Sequence, residues 1–313
     1  MSQPGAAVTT AVVPAPDDPL VRGLLDRCRF PGKGTAVTCA VSGGADSTAL
    51  LALAIAAELD VEVVHVDHRL RAGAADDAAH VMSLARHWGV PGRVVTASVA
   101  PGGDLEQRAR EARRAALPES ALFGHTADDQ AETVLLRMLR GTGPVGLAAM
   151  RAGTHPLLAL RRSETHDLCA HLGVRPRHDP TNEDPRFTRN RVRAEVLPLL
   201  DDVAERDVVP LLARLAELAA EHADLVDDLA TSVDPTDVAA LRAVPAPLAV
   251  AALRAWWRTE TSGAPPPDRA ATERMLDVVW GRRRGCDVVG GWSLRRTAGR
   301  LRLERSGPAV PDH

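Results

Sequence analysis

Ser42-Gly43-Gly44-Ala45-Asp46-Ser47 lies between an apolar run, Thr35 to Val41, and an Ala/Leu-rich stretch, Thr48 to Leu59. That order reads as a strand, a glycine turn and the start of a helix. Two adjacent glycines open backbone dihedrals closed to other residues, so several N–H groups can converge on an anion at the positive end of the helix. Ser42 and Ser47 add hydroxyls, and the six residues from Ser42 to Ser47, Ala45 included, form the expected phosphate cradle. Asp46 would repel a bare phosphate. Its presence points to Mg²⁺ between carboxylate and phosphate oxygens, and so to a nucleotide–magnesium ligand. The plainer alternative is a tight turn in which Asp46 only caps the helix.

Two other glycine patterns fail on context. Gly32-Lys33 has Arg27 where a Walker A loop needs glycine, and Gly34 where it needs Ser or Thr. Gly141-Thr142-Gly143-Pro144-Val145-Gly146 matches G-x-G-x-x-G literally but follows an expected helix, whereas a dinucleotide fingerprint follows a strand.

The 313 residues suffice for one ordinary domain and a smaller second one, and a net charge of −3 gives no global basic signature, so a nucleic-acid surface must be local. Cys28, Cys39, Cys169 and Cys286 show neither C-x-x-C pairing nor metal-ligand spacing. They read as reduced, buried thiols of a cytoplasmic protein. The first twenty residues lack a basic start and a continuous apolar core, so neither a signal peptide nor a membrane span is expected.

From Thr35 to about Arg140, short β-branched runs alternate with longer amphipathic ones. This is the pattern of an α/β, doubly wound parallel sheet. Strands are expected at 35–41, 61–66, 93–97 and 121–124, and helices at 47–59, 76–88, 104–117 and 128–140. In such folds ligands bind outside the carboxyl ends of the strands, where Ser42, Asp67 and His125 fall. The expected organisation is a flexible N-terminus and lead-in helix over 1–33, a catalytic domain over 34–204, and a smaller, mainly helical domain over 205–313 ending in a short hairpin that turns at Ala298-Gly299.

His125-Thr126-Ala127-Asp128-Asp129-Gln130-Ala131-Glu132-Thr133 ends a strand and opens a helix, with Asp128/Glu132 and Asp129/Thr133 as i,i+4 pairs. Favourable interaction with the helix dipole accounts for Asp128 and Asp129 alone, but not for His125, Gln130 and Glu132 beside them. His65 and Asp67 share a strand face, so both are expected to reach the site while Val66 packs behind. Glu106, Arg110 and Arg113 share one helix face, which is either a solvated salt-bridged surface or a phosphate-neutralising one.

SGGADS, HVDH, EQRAREAR, GHTADDQAET, RGTGPVGLAAM, PLLALRRSE and DPTNEDPRFTRNRVRAEVLPLL together resemble the tRNA(Ile)-lysidine synthetases, members of the PP-loop ATP-pyrophosphatase superfamily, over residues 34 to 200. The resemblance implies that ATP activates the C2 oxygen of cytidine 34 in a tRNA(Ile) with a CAU anticodon. The ε-amine of L-lysine then displaces AMP. It further implies ATP and Mg²⁺ on Ser42 to Ser47 with Asp46 on the metal, phosphate or tRNA charge on Arg110 and Arg113, and lysine on Asp128, Asp129 and Glu132. Catalysis would rest on Asp46, Glu132, Asp129 and Arg110, and tRNA contact on Arg189, Asn190 and Arg193. His65, Asp67 and His125 would be neighbours, and a homodimer is an open option. Arg114 and His155 depart from the family's usual Tyr and Arg. Competing readings are a tRNA-thiolating PP-loop enzyme, an amide-forming synthetase and a nucleotide-sensing module. The missing C-x-x-C pairs oppose the first, and the RNxxR segment at Arg189 favours RNA over a small metabolite.

Overall fold

The computed structural model describes residues 11–67, 74–97, 108, 112, 114–178, 184–262 and 264–305. A lead-in helix α1 (Pro19–Leu25), capped by the Asp18 carboxylate, precedes β1 (Ala36–Ala40), α2 (Ala45–Ala56), β2 (Asp60–Asp67), α3 (Ala74–His87), β3 (Gly92–Thr96), β4 (Leu122–Phe123) and α4 (Ala127–Leu139). Every strand pairing is parallel and the order is β3-β2-β1-β4. The chain therefore steps outward from β1 to β3 and then returns to the other side of β1. Such a reversal opens a crevice beyond the carboxyl ends of the two strands that flank it, here β1 and β4.

Helix α2 is apolar all round because it is covered all round. Leu50, Leu51 and Leu53 are fully buried, each worth roughly 1.5–3 kcal/mol. After a single turn α5 (Pro144–Leu147) comes α6 (Arg162–His171), which packs on α2 through Leu168 and closes the first core together with Val21, Cys39, Val63 and Leu84. The next segment runs α7 (Thr188–Arg191), a π turn (Val192–Val196), α8 (Leu197–Ala204) and α9 (Val209–Ala230). Pro198 has no N–H to close a regular turn, and the register slips ahead of it.

The chain divides into two compact units between Ala220 and Glu221, inside α9 and beyond the expected limit at 204/205. The cause is packing: Val208 and Val209 form one apolar cluster with Ala127, Ala131 and Leu135 of α4, so the first strip of α9 belongs to the N-terminal unit. The C-terminal unit holds α10 (Val238–Arg242), α11 (Ala246–Glu260) and α12 (Arg269–Trp280), followed by an antiparallel sheet of β5 (Gly285–Asp287), β6 (Trp292–Thr297) and β7 (Arg300–Arg305). Its core joins Leu241, Leu253, Met275 and Val278 to Leu294 and Leu301. Ala298 and Gly299, both at positive φ, make the expected hairpin turn. No described helix is long and apolar enough to cross a membrane.

Candidate functional site

The crevice between β1 and β4 holds a cavity of about 180 Å³ lined by Ser42, Asp46, Ser47, His125 and Asp129, with an apolar wall from Val64, Val66 and Phe123. The glycine loop is preformed around one hydroxyl. Ser47 Oγ accepts from the N–H groups of Ser42 (3.1 Å) and Gly43 (3.2 Å) and donates to Gly44 O (3.0 Å). No side chain caps Gly44 at the start of α2, which leaves the first-turn N–H groups of a twelve-residue helix for an anion.

Only one of the two glycines uses glycine's freedom. Gly43 sits at φ +92, whereas Gly44 is extended at φ −70 and has ordinary room for a Cβ. The glycine demanded by close approach is Gly124, at the end of β4, where a Cβ would lie 2.3 Å from Asp46 O and 2.9 Å from Ser47 N. Gly124→Ala is expected to force the loop and the strand apart, costing about 1–3 kcal/mol. Nucleotide affinity, read by calorimetric titration, should fall in the folded variant, and unchanged affinity would show that the contact is dispensable.

Arg177, which the sequence reading passed over, clasps the loop from outside. Its N–H donates to Gly43 O (2.8 Å), its stem lies 3.3 Å from where a Gly43 Cβ would be, and Nε donates to the buried Asp77 carboxylate (2.8 Å).

Behind the cavity a charged cluster ties α4 to α6 and α7. Glu132 is fully buried, and Oε1 accepts from Arg193 Nε (2.7 Å) and Arg162 Nη2 (3.2 Å) while Oε2 accepts from Arg189 Nε (2.8 Å) and Arg193 Nη2 (3.1 Å). Asp129 closes a capping box on Thr126 with Oδ2 and accepts from Arg162 Nη2 (3.0 Å) with Oδ1. Asp128 accepts from Arg161 Nη2 (3.1 Å) and from the Arg162 backbone N–H (2.8 Å), fixing the start of α6. Asp46 takes a bond from Thr165 Oγ1 and lies 3.6 Å from Arg162 Nε. Arg162 thus touches Asp46, Asp129 and Glu132 at once. Burial works against its charge, but Asp129, Glu132 and Asp46 outweigh that and raise its proton affinity.

The carboxylates respond in opposite directions. Burial, reinforced by the charge of Asp129, pushes Asp46 above its ordinary value, against Thr165, Arg162 and His166. Burial also acts on Asp129, but Arg162, His125, Arg189 and the Thr126 N–H overcome it and hold the carboxyl at about 2. Asp128 is likewise lowered, the bonds from Arg161 and the Arg162 N–H exceeding the effect of burial. A carboxyl depressed on folding stabilises the fold above its unfolded value, ordinarily 3.8, and that contribution is lost as the pH falls through the folded value. Urea unfolding is therefore expected to show stability declining from pH 4 towards pH 2, with a shallower decline in Asp128→Asn.

Two carboxylates, Asp46 and Asp129, stand close enough to oppose each other's charge at the cavity, an arrangement that a cation relieves. No group of three or more His, Cys, Asp or Glu side chains gathers as a metal cage among the described residues. Two carboxylates beside an anion cradle are a donor set of the kind Mg²⁺ takes when phosphate oxygens complete its shell.

Other expected positions fall differently. Val64 and Val66, not His65 and Asp67, face the cavity; His65 is buried and bonds Val41 O through Nδ1 (2.8 Å), bracing the strand end that enters the loop. Strand alternation placed the pair correctly on one face, but on the opposite one. His125 is in the cavity wall, its ring 4.9 Å from that of His155 and 5.9 Å from Phe123. Arg189 is mostly buried on Glu132, Arg193 is one-third exposed, and Asn190 Nδ2 donates to Asp184 O (2.9 Å). Arg110 and Arg113 lie outside the described residues.

A family model described as the PP-loop domain matches residues 23–200, and one described as the TilS substrate binding domain matches residues 237–302. A tRNA(Ile)-lysidine synthase from Nocardia farcinica is 40% identical over 307 residues, spanning 91% of this chain and 96% of the relative. Another from Rhodococcus erythropolis is 38% identical over 272 residues, 82% of this chain and 84% of the relative. Among solved structures, the U34-tRNA thiolase NcsA from Methanococcus maripaludis, with its 4Fe-4S cluster, aligns at a TM-score of 0.52 and 16% identity. That alignment covers 65% of this chain and 77% of the thiolase, a likeness of fold.

Proposed function

Because the chain belongs to the tRNA(Ile)-lysidine synthase family, ATP-using enzymes that modify tRNA, we propose that it joins L-lysine to C2 of cytidine 34 through an adenylated tRNA. The C2 oxygen of cytosine is a poor leaving group and must be activated. It attacks the α-phosphorus of ATP, diphosphate leaves, and the lysine ε-amine then adds at C2 while AMP departs with the oxygen and the amine loses a proton. The CAU anticodon of tRNA(Ile) and a cytoplasmic setting belong to this reading.

What carries the proposal is the cavity at the β1/β4 reversal, where an open helix N-terminus, Asp46 and Asp129 meet. Ser42 to Ser47 would cradle the diphosphate, and Asp46 with Asp129 would hold Mg²⁺, which neutralises charge on the phosphates. Val64, Val66 and Phe123 offer an apolar wall to a base. Of Asp128, Asp129 and Glu132, Asp129 lines the cavity and would meet the lysine ammonium directly, while Asp128 would act through Arg161 and the start of α6, and Glu132 through Arg162, Arg189 and Arg193. Arg110 and Arg113 are assigned to phosphate charge, and Arg193 and Asn190 to tRNA.

Thiolation is the rival chemistry, and the thiols oppose it. Burial pushes Cys28, Cys39 and Cys169 up to about 12 and raises Cys286 as well, which disfavours the thiolate that sulfur transfer needs. A matrix of bulk tRNA against single amino acids, scored by sustained AMP and diphosphate release, tests the proposal. Turnover is expected only with tRNA and lysine together, and turnover with tRNA and a sulfur donor but without lysine would overturn it.

A further inference from the structure

Charge in the C-terminal unit is segregated along the chain. From Glu221 to Gly281 ten carboxylates accompany five arginines, whereas from Arg282 to Arg305 eight arginines accompany only Asp287 and Glu304. The second segment is the three-stranded sheet. Its inner face, with Cys286, Leu294 and Leu301, packs into the core; its outer face carries Arg295 and Arg302, which the strand register places directly opposite each other. Thr297 and Arg300 form the next outward pair, towards the hairpin turn.

Several of the eight arginines have internal duties. Arg282 and Arg283 pair with Asp277, Arg296 donates to Val278 O, and Arg300 pairs with Asp234. Arg295 and Arg302 are exposed and form no ion pair among the described residues. Like charges directly opposite across a β pair are destabilising, so the pair is a cost to the fold. Room is made for it as well. The Arg295 side chain lies across Gly285, its Cδ 2.7 Å from where a Cβ would stand, so any larger residue there would displace it. The outer carboxylates Asp287 and Glu304 flank Ser293 in the next row of this face, on the side away from the hairpin turn.

We infer that the outer face of this sheet, centred on the cross-strand pair Arg295 and Arg302, is a docking surface for the phosphodiester backbone of the tRNA substrate. Two guanidiniums side by side on a rigid ribbon match successive phosphates, which they bind by charge and in-plane hydrogen bonds without reading a base. The inference rests on the tRNA-modifying reading. It concerns capture, not chemistry: two exposed guanidiniums side by side give a chain of net charge −3 a local cationic contact for a polyanion.

The test is equilibrium binding of the full chain to a tRNA(Ile) transcript and to an unrelated tRNA over a range of salt, for wild type, Arg295→Gln, Arg302→Gln and the double variant. Arg269→Gln, whose guanidinium pairs with Glu273 on α12, is the control. Each Arg295 or Arg302 substitution is expected to weaken both tRNAs alike and to reduce the slope of log K against log salt by about one. The melting temperature should stay level or rise, because a repulsive pair is relieved, and turnover at saturating tRNA should not change. An unaltered salt slope, or a loss equal to that of Arg269→Gln, overturns the inference. So does arginine-dependent binding to anionic vesicles with none to tRNA. Failure of the parent reading looks different: no lysine-dependent AMP release from wild type with any tRNA, whatever the salt slopes show.

Discussion

Asp46→Asn is expected to lower turnover about 100- to 1000-fold, the usual effect of removing one preorganised electrostatic group, without weakening the fold. The two effects separate because folding raises this carboxyl's proton affinity, chiefly through burial and the neighbouring Asp129. A carboxyl of that kind is a liability to the folded state at neutral pH, lessening as the pH falls. Asn is neutral throughout, keeps an oxygen for the Thr165 hydroxyl, and ends the repulsion with Asp129. Thermal unfolding should therefore show a level or higher midpoint at pH 7 while AMP release collapses. Near-normal turnover in the folded variant would remove Asp46 from the chemistry. A lowered midpoint would instead make its role structural.

Much of this site was legible in the chain because its signals are local. Ser42 to Ser47 reads as strand, turn and helix from six consecutive residues, and the hairpin at Ala298-Gly299 reads the same way. Signals that join distant segments were not legible. Gly124 looks like any strand-end glycine until Asp46 O is seen 2.3 Å from its missing Cβ, and Arg162 looks like half of a basic pair until α6 swings it among three carboxylates from two other helices. The strand parity of His65 failed for a related reason. Period-two alternation says which residues share a face, but which face meets the crevice depends on how β1 and β4 flank it. The change of texture near 204/205 marks where helices lengthen, whereas the compact units meet at Ala220/Glu221, because the start of α9 clusters with α4 through Val209, Leu212 and Ala213.

Glu132 is where the local reading and the packed structure diverge most, and its substitution should have the largest effect on stability. On a helix surface Glu132→Gln would change stability by less than about 0.5 kcal/mol. Here the side chain is wholly buried and both oxygens are occupied by guanidiniums of Arg162, Arg189 and Arg193. Removing one partner of a buried ion pair costs about 3–5 kcal/mol, since the opposite charges stay buried and uncompensated. Glu132→Ala is expected to lose that amount in urea unfolding. Glu132→Gln keeps the shape and one acceptor, so it should lose less. The functional consequence follows from the same bonds: with Glu132 neutral, Arg162 is freer to settle on Asp129 and Asp46, which would mask the carboxylate facing the cavity from a lysine ammonium. At a temperature where Glu132→Gln is folded, the lysine KM should rise while adenylated tRNA, trapped with labelled ATP, still forms and persists longer. If stability falls but lysine KM and the rate of AMP release do not move, Glu132 serves the fold alone; if stability does not fall either, the buried cluster is not what holds α4, α6 and α7 together.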